Sequence, residues 1–240
     1  IGTTLYDNWE DVSQLSTPKI SVFAAGNDGE DQPSAQCQTM AYNSDISAVS
    51  VCVVAISYST LGTDNGLLAS FSNKCGKASS YCIAAPGDRI YSLTDFGTYT
   101  FANGTSMAAP MVSGGLALIM EEFSSLTPAQ VVTRLKSTAN DSGEYSQTSI
   151  YGHGLMNLNA ATAAVAKLQT INGSTLLDDP NTSYNDLIEN SFLSSAAFSN
   201  ALNAALNNQT MEVYDSFDRA NFEVKITDFF SSDSYTSNNN

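Results

Sequence analysis

The stretch GTSMAAP, from Gly104 to Pro110, holds residues arranged for covalent chemistry. It sets Ser106 where a glycine-bounded segment opens into an apolar, helix-like run. An alcohol is a weak nucleophile at neutral pH. It needs a base within hydrogen-bond reach and donors for the oxyanion that its attack creates. A serine in the first turn of a helix also feels the positive end of the helix dipole. Gly104 leaves room for a substrate backbone, and Ala108 and Ala109 let such a helix lie close to a sheet. The chemistry implied is acyl transfer. The base is the difficulty, because the sequence holds a single histidine, His153 in YGHGL, downstream of the serine.

The elements that must position these residues alternate between two periods. KISVFAA (Lys19 to Ala25) is an apolar, β-branched run ended by Gly26, and predicts a buried strand. ISAVSVCVVAI (Ile46 to Ile56) predicts a second. GLLASFS and YCIAAPG predict shorter strands, the latter stopped by Pro86 and Gly87, and RIYSL and TYTFAN lead up to the serine. From Ser106 to Phe123 the chain is small and apolar nearly all round, the pattern of a buried central helix. Pro110 lies near its start, where proline is best tolerated. In TPAQVVTRLKSTA, Thr127 is the cap, Pro128 takes the first helical position and Gln130 completes a capping box. LNAATAAVAKL predicts another amphipathic helix. Strands and helices so intermixed, with buried strands, predict an α/β fold with a parallel sheet.

The composition changes after about Gln169. Residues 170–240 are rich in Ser, Asn, Thr and Asp, and form an acidic extension distinct from residues 1–169. Within it SFLSSAAFSNALNAAL predicts a helix, and FEVKI (Phe222 to Ile226) alternates with Glu223 and Lys225 toward water. Residues 231–240 predict disorder.

Composition excludes several functions. With 9 Lys+Arg against 24 Asp+Glu and a net charge of −15, the chain lacks the clustered cations that nucleic acid demands. Solubility is the plain reading of this acidity. Clustered carboxylates binding calcium are the sharper one, but no D-x-D-x-D-G loop is present. No apolar run reaches membrane-spanning length. No signal peptide leads the sequence and residue 1 is not methionine, so a processed or trimmed N-terminus is the expectation. The four cysteines contain no C-x-x-C pair and suit an oxidising compartment. Cys75 and Cys82 flank a short turn-rich segment, so we expect that pair and Cys37 with Cys52; four buried free thiols are the alternative.

Taken together, the motifs resemble those of the subtilisin-like serine proteases, the subtilases. GTSMAAP is similar to the family's serine motif. FAAGNDG (Phe23 to Gly29) is similar to the strand-to-loop motif bearing the oxyanion-hole asparagine, which maps to Asn27. AAPG (Ala84 to Gly87) resembles the turn ahead of the serine, SFSN (Ser70 to Asn73) falls in place, and YGHGLMNLNAA resembles the Gly-x-Gly strand and following helix. These five elements keep the family's order across residues 19–168. The resemblance implies the C-terminal part of a subtilase catalytic domain over 1–169. It makes Ser106 the nucleophile and Asn27 the oxyanion donor. In a subtilisin, loss of such a donor costs roughly 10²–10³ in turnover. Ala24, Ala25 and Gly26 would wall a substrate pocket, with Gly104 and Thr105 beside the serine. No metal ligand is assigned, although the family allows structural calcium. Asp28 is expected to be a solvated loop carboxylate rather than a catalytic acid.

The resemblance also makes the missing base conspicuous. Subtilases order their triad Asp, His, Ser along the chain. Neither the aspartate nor the histidine motif is present upstream of Asn27, and His153 occupies the variable place inside the Gly-x-Gly element. Losing either serine or histidine costs a subtilisin roughly a million-fold. The expectation is a serine endopeptidase of a secreted or cell-surface kind. It would be inactive as this chain alone and completed by an N-terminal part of the same protease that brings Asp and His. Autotransporter passengers are one group of secreted bacterial subtilases with such extensions. Protein or peptide substrates are expected. A pseudoprotease acting as a binding scaffold is the alternative. An unrelated α/β esterase is weaker, for want of a G-x-S-x-G elbow.

Overall fold

All seven residues of SVCVVAI are buried, and they form the central strand β2 (Ser50–Ile56). A strand covered on both faces needs an unbroken apolar run, and β-branched side chains suit it. Strand β1 (Ser21–Ala24) lies on one side and β3 (Cys82–Pro86) on the other, both parallel to it, in the order β1-β2-β3. Phe23 is level with Cys52, and Cys52 with Cys82. The α/β fold with a parallel sheet flanked by helices is therefore the one observed. The structure, a computed structural model, describes residues 19–58, 66–95, 97–166, 168–170 and 209–225. The chain divides into two compact units, Ile1–Ala163 and Ala164–Asn240.

In the first unit the chain runs from β1 through α1 (Ala35–Thr39) and α2 (Ser44–Ala48) into β2. Strands β4 (Ile90–Leu93) and β5 (Tyr99–Ala102) then form an antiparallel hairpin that leads into α3 (Thr105–Glu122). Helices α4 (Pro128–Ser137), α5 (Thr148–Tyr151) and α6 (Leu158–Ala161) follow. Two disulfides staple the core: Cys37–Cys52 ties α1 to β2, and Cys75–Cys82 closes the turn before β3. Both pairings match expectation, and no described cysteine is free.

Several sequence expectations need correction. Ile46 to Ala48 belong to α2 rather than to the second strand, because the Asn43 side chain accepts from the amides of Asp45 and Ile46 and caps a helix there. GLLASFS makes only a single bridge, Leu68 to Ile56, before turning. Its Ser72 hydroxyl accepts from the Ala55 amide and so takes a ladder position with a side chain. The helix expected from LNAATAAVAKL stops at Ala161. Fully buried Arg134 donates from Nε to the Ala161 carbonyl at 2.7 Å and from its terminal nitrogen to that of Ala163, claiming acceptors that a longer helix would need. The α4 cap is as expected: the Thr127 hydroxyl accepts from Gln130 N, the Gln130 side chain accepts from Thr127 N, and Pro128 opens the helix.

Helix α3 departs from expectation in a different way. Its inner face, Ala108, Val112, Gly115, Leu116 and Ile119, is buried at the helical spacing. Gly115 lets α6 pack close, since a β-carbon there would come within 2.8 Å of the ends of the Leu158 and Met156 side chains. The outer face is not buried. Met111 is 42% exposed, Leu118 57% and Met120 46%. A β-carbon at Gly114 would meet nothing within 4 Å. The helix is apolar nearly all round, but the described residues supply a partner for one side only.

In the second unit, β6 (Leu168–Thr170), β7 (Thr210–Asp215) and β8 (Asn221–Lys225) form an antiparallel sheet in that order. Buried Asp215 accepts from the amides of Val165, Ala166 and Phe217. Glu223 and Lys225 are exposed, as the alternation of FEVKI predicts. The helix expected from SFLSSAAFSNALNAAL and the disorder expected at 231–240 lie outside the described residues.

Candidate active site

Strand β1 ends at Ala24, and the loop that follows carries Asn27 to the N-terminus of α3. The contact is specific. The Thr105 amide and the Thr105 hydroxyl both donate to Asn27 Oδ1, at 2.8 and 2.9 Å. The same hydroxyl accepts from the Gly26 amide at 3.2 Å. A backbone amide can only donate, so the Asn27 atom facing Thr105 is its carbonyl oxygen. Nδ2 is thereby turned the other way. Thr105 is fully buried, whereas Asn27 and Ser106 are exposed.

Gly104 explains what Nδ2 faces. Its φ of 151° suits glycine alone. A β-carbon placed there would lie 3.5 Å from Asn27 Nδ2 and 3.6 Å from Ser106 N. Neither donor has a hydrogen-bond partner among the described residues, and neither does the Ser106 hydroxyl. The missing side chain of Gly104 thus leaves a small hollow beside an exposed serine, edged by two free N–H groups. Such donors, together with the positive end of an 18-residue helix, favour a negative oxygen. The hollow is held open from behind. Gly104 N donates to Gly87 O at 2.8 Å. A β-carbon at Gly87 would come within 2.6 Å of Ala55, 2.7 Å of Gly104 O and 3.1 Å of Ala108. The glycine of AAPG therefore lets the serine segment close on the sheet.

The structure brings Asn27, Gly104, Thr105 and Ser106 together. Ala25 and Gly26 adjoin them but have their backbone groups engaged. Ala25 donates to Val53 O and accepts from Ser34 N and Asn73 Nδ2; Gly26 accepts from Asn73 N. Ala24 O accepts from the Ser34 hydroxyl. These residues can form a wall whose Ala25 and Gly26 backbone groups are already paired. In the sequence Asn73 shows only as the closing residue of SFSN, and its part in this web comes from the fold.

His153 is elsewhere. Its Nε2 lies 2.9 Å from the Ser80 carbonyl, and its amide donates to Cys82 O. It lines a hollow of about 490 Å³ with Ser79, Ser80, Lys136, Asp141 and Tyr145, and Ser106 does not border that hollow. Burial holds the Lys136 ammonium below its ordinary pKa. Asp28 is exposed, as expected of a loop carboxylate. Among the described residues no group of three or more His, Cys, Asp or Glu could hold a metal ion. No described helix is long and apolar enough to cross a membrane.

Residues 6–154 match the Subtilase family. The chain belongs to that family. It is similar to subtilisin DY of Bacillus licheniformis, at 37% identity over 142 residues, 59% of this chain and 46% of that one. It is similar to serotype-specific antigen 1 of Mannheimia haemolytica at 34% identity, covering 59% of this chain and 15% of that one. The extracellular serine protease of Serratia marcescens is 31% identical over 60% of this chain and 15% of its own. The chain thus spans less than half the length of these relatives. Among solved structures, a chain of the subtilase cytotoxin SubAB assembly shares the fold. The TM-score is 0.53 at 24% identity, over 67% of this chain and 54% of that one.

Proposed function

We propose that this subtilase chain carries the nucleophile and oxyanion side of a serine endopeptidase. Its Asp and His would come from an N-terminal part of the same protease that lies outside this chain. The observation that carries the reading is the hollow at Gly104, where Asn27 Nδ2 and the Ser106 amide converge beside the free Ser106 hydroxyl. Ser106 attacks the scissile carbonyl, and those two groups donate to the oxyanion of the tetrahedral intermediate. The leaving amine departs and an acyl-enzyme forms on Ser106. Water then releases it. His153 does not serve as the base. Its ring lies against the Ser80 carbonyl, in a hollow that Ser106 does not border.

Unfinished surfaces support a completing polypeptide. The outer face of α3 is apolar and open, β1 has a neighbour on one side only among the described residues, and Tyr91, Leu93, Tyr99 and Phe101 share an exposed face of the β4–β5 hairpin. Apolar faces and open strand edges of this kind call for a cover. Two disulfides favour an oxidising compartment, in keeping with a secreted or cell-surface protease acting on proteins or peptides. The test is peptide hydrolysis by the purified full-length protein, followed by mass spectrometry of the products. Cleavage lost in Ser106→Ala supports the reading. A folded full-length protein that neither cleaves peptides nor takes up a fluorophosphonate would instead be a binding scaffold.

A further inference from the structure

Asn73 is 3% exposed, and its side chain makes three hydrogen bonds, all to one short loop. Oδ1 accepts from the amides of Asp28, at 3.0 Å, and Glu30, at 2.9 Å. Nδ2 donates to the Ala25 carbonyl at 3.1 Å, and the Asn73 amide donates to Gly26 O at 3.0 Å. These contacts fall on both sides of Asn27, the residue between them. Gly26 makes space for the clasp, because a β-carbon there would lie 2.4 Å from Asn73 Nδ2. The clasp is itself anchored. The Ser72 hydroxyl accepts from Ala55 N in β2 and donates to Asn73 O, and Cys75 is held by its disulfide to Cys82.

The division of labour follows from the donors and acceptors. Thr105 fixes which way the Asn27 amide faces, but only through Oδ1. Where the Asn27 backbone sits is decided by the loop, and the loop's inward amides and carbonyl are tied to Asn73. A primary amide suits this place. It offers two acceptor lone pairs and a donor on separate atoms of one planar head, whereas a carboxylate cannot donate to Ala25 O and a serine is shorter and carries its donor and acceptors on a single atom.

We infer that Asn73 is a positioning residue for the oxyanion hollow, acting through Asn27 rather than on the substrate. This rests on the proposed role of Asn27, so the test has one arm that does not. In the full-length protein, Asn73→Ala frees the amides of Asp28 and Glu30. Their hydrogen exchange should rise at least about tenfold while that of Val53 and Val54 in β2 is unchanged. Kinetically, misplacing a catalytic donor by about 1 Å costs on the order of a hundredfold, so kcat should fall about tenfold to a hundredfold with KM nearly constant. In an Asn27→Ala background the same change should cost less than about threefold, because the group it positions is gone. An equal loss in both backgrounds, or unchanged exchange at 28 and 30, would overturn the inference. Should Asn73→Ala not fold, Asn73→Asp keeps both acceptor contacts and drops only the donor. It should leave exchange at 28 and 30 low and show the same non-additivity with Asn27→Ala. Absence of hydrolysis by the wild-type protein would count against the role of Ser106, while the exchange arm would still decide whether Asn73 holds the loop.

Discussion

Ser106 and His153 supply the two side-chain types that a serine hydrolase pairs, and the fold treats their surroundings differently. Around Ser106 the backbone is pinned from three directions, by Thr105 on Asn27, by Gly104 on Gly87 and by Asn73 on the 25–30 loop. Of the groups left over, the Asn27 amide nitrogen and the Ser106 N–H border the space beside Gly104, and the Ser106 hydroxyl belongs to the same exposed residue. Because Asn27 and Ser106 are exposed, these donors are open to an incoming group from solvent. Around His153 the contacts are local, with Nε2 against the Ser80 carbonyl and the amide on Cys82 O, in a hollow lined by serines, Lys136 and Asp141 that Ser106 does not border. The difference is what supports the proposal that chemistry takes place at Ser106 rather than at His153.

That contrast can be broken at graded points in the full-length protein. Replacing the nucleophile, Ser106→Ala, should lower kcat roughly a million-fold, the scale seen when a subtilisin loses its serine. Active-site titration against a chromogenic peptide checks this. Asn27→Ala removes one of the two donors at the hollow and should cost roughly 10²–10³ in kcat with little change in KM. Gly104→Ala adds a methyl between the same donors at a backbone angle that only glycine tolerates, and should lower kcat at least about a hundredfold while Asn27 and Ser106 remain in place. His153→Ala is the opposing case. It should alter kcat/KM by less than about twofold, as expected of a change remote from the chemistry. A large loss there would erase the distinction between the two regions.

A second contrast lies within α3. Its inner face meets the sheet through Ala108, Val112 and Ile119, while Met111, Leu118 and Met120 face outward in the open. The sequence predicted burial all round because the helix has no polar side. Hydrophobic pattern reports what a segment needs to bury, not which polypeptide does the burying.

How much could be known beforehand follows the same line. The central strand, the α4 capping box, both disulfides and the approach of Asn27 to the serine segment were legible, because each depends on residue types at short range or on an ordered set of motifs. The early end of the helix at Ala161 was not, since a buried arginine from α4 claims its carbonyls. The helical start of the run before β2 was hidden by the apolar Ile46 to Ala48, where a side-chain cap from Asn43 outweighs β-propensity. Asn73 could be placed in a motif but not given a task. Its partners lie more than 40 positions away in the chain, and no periodicity encodes that distance.

The central claim is that Ser106 is activated by a base which is not His153. Its most direct test is fluorophosphonate labelling of the full-length protein and its His153→Ala variant, with the modified peptide identified by mass spectrometry. The account predicts covalent adduct on Ser106 at similar rates in both. An unlabelled Ser106 in folded wild-type protein, or labelling abolished by His153→Ala, would contradict it.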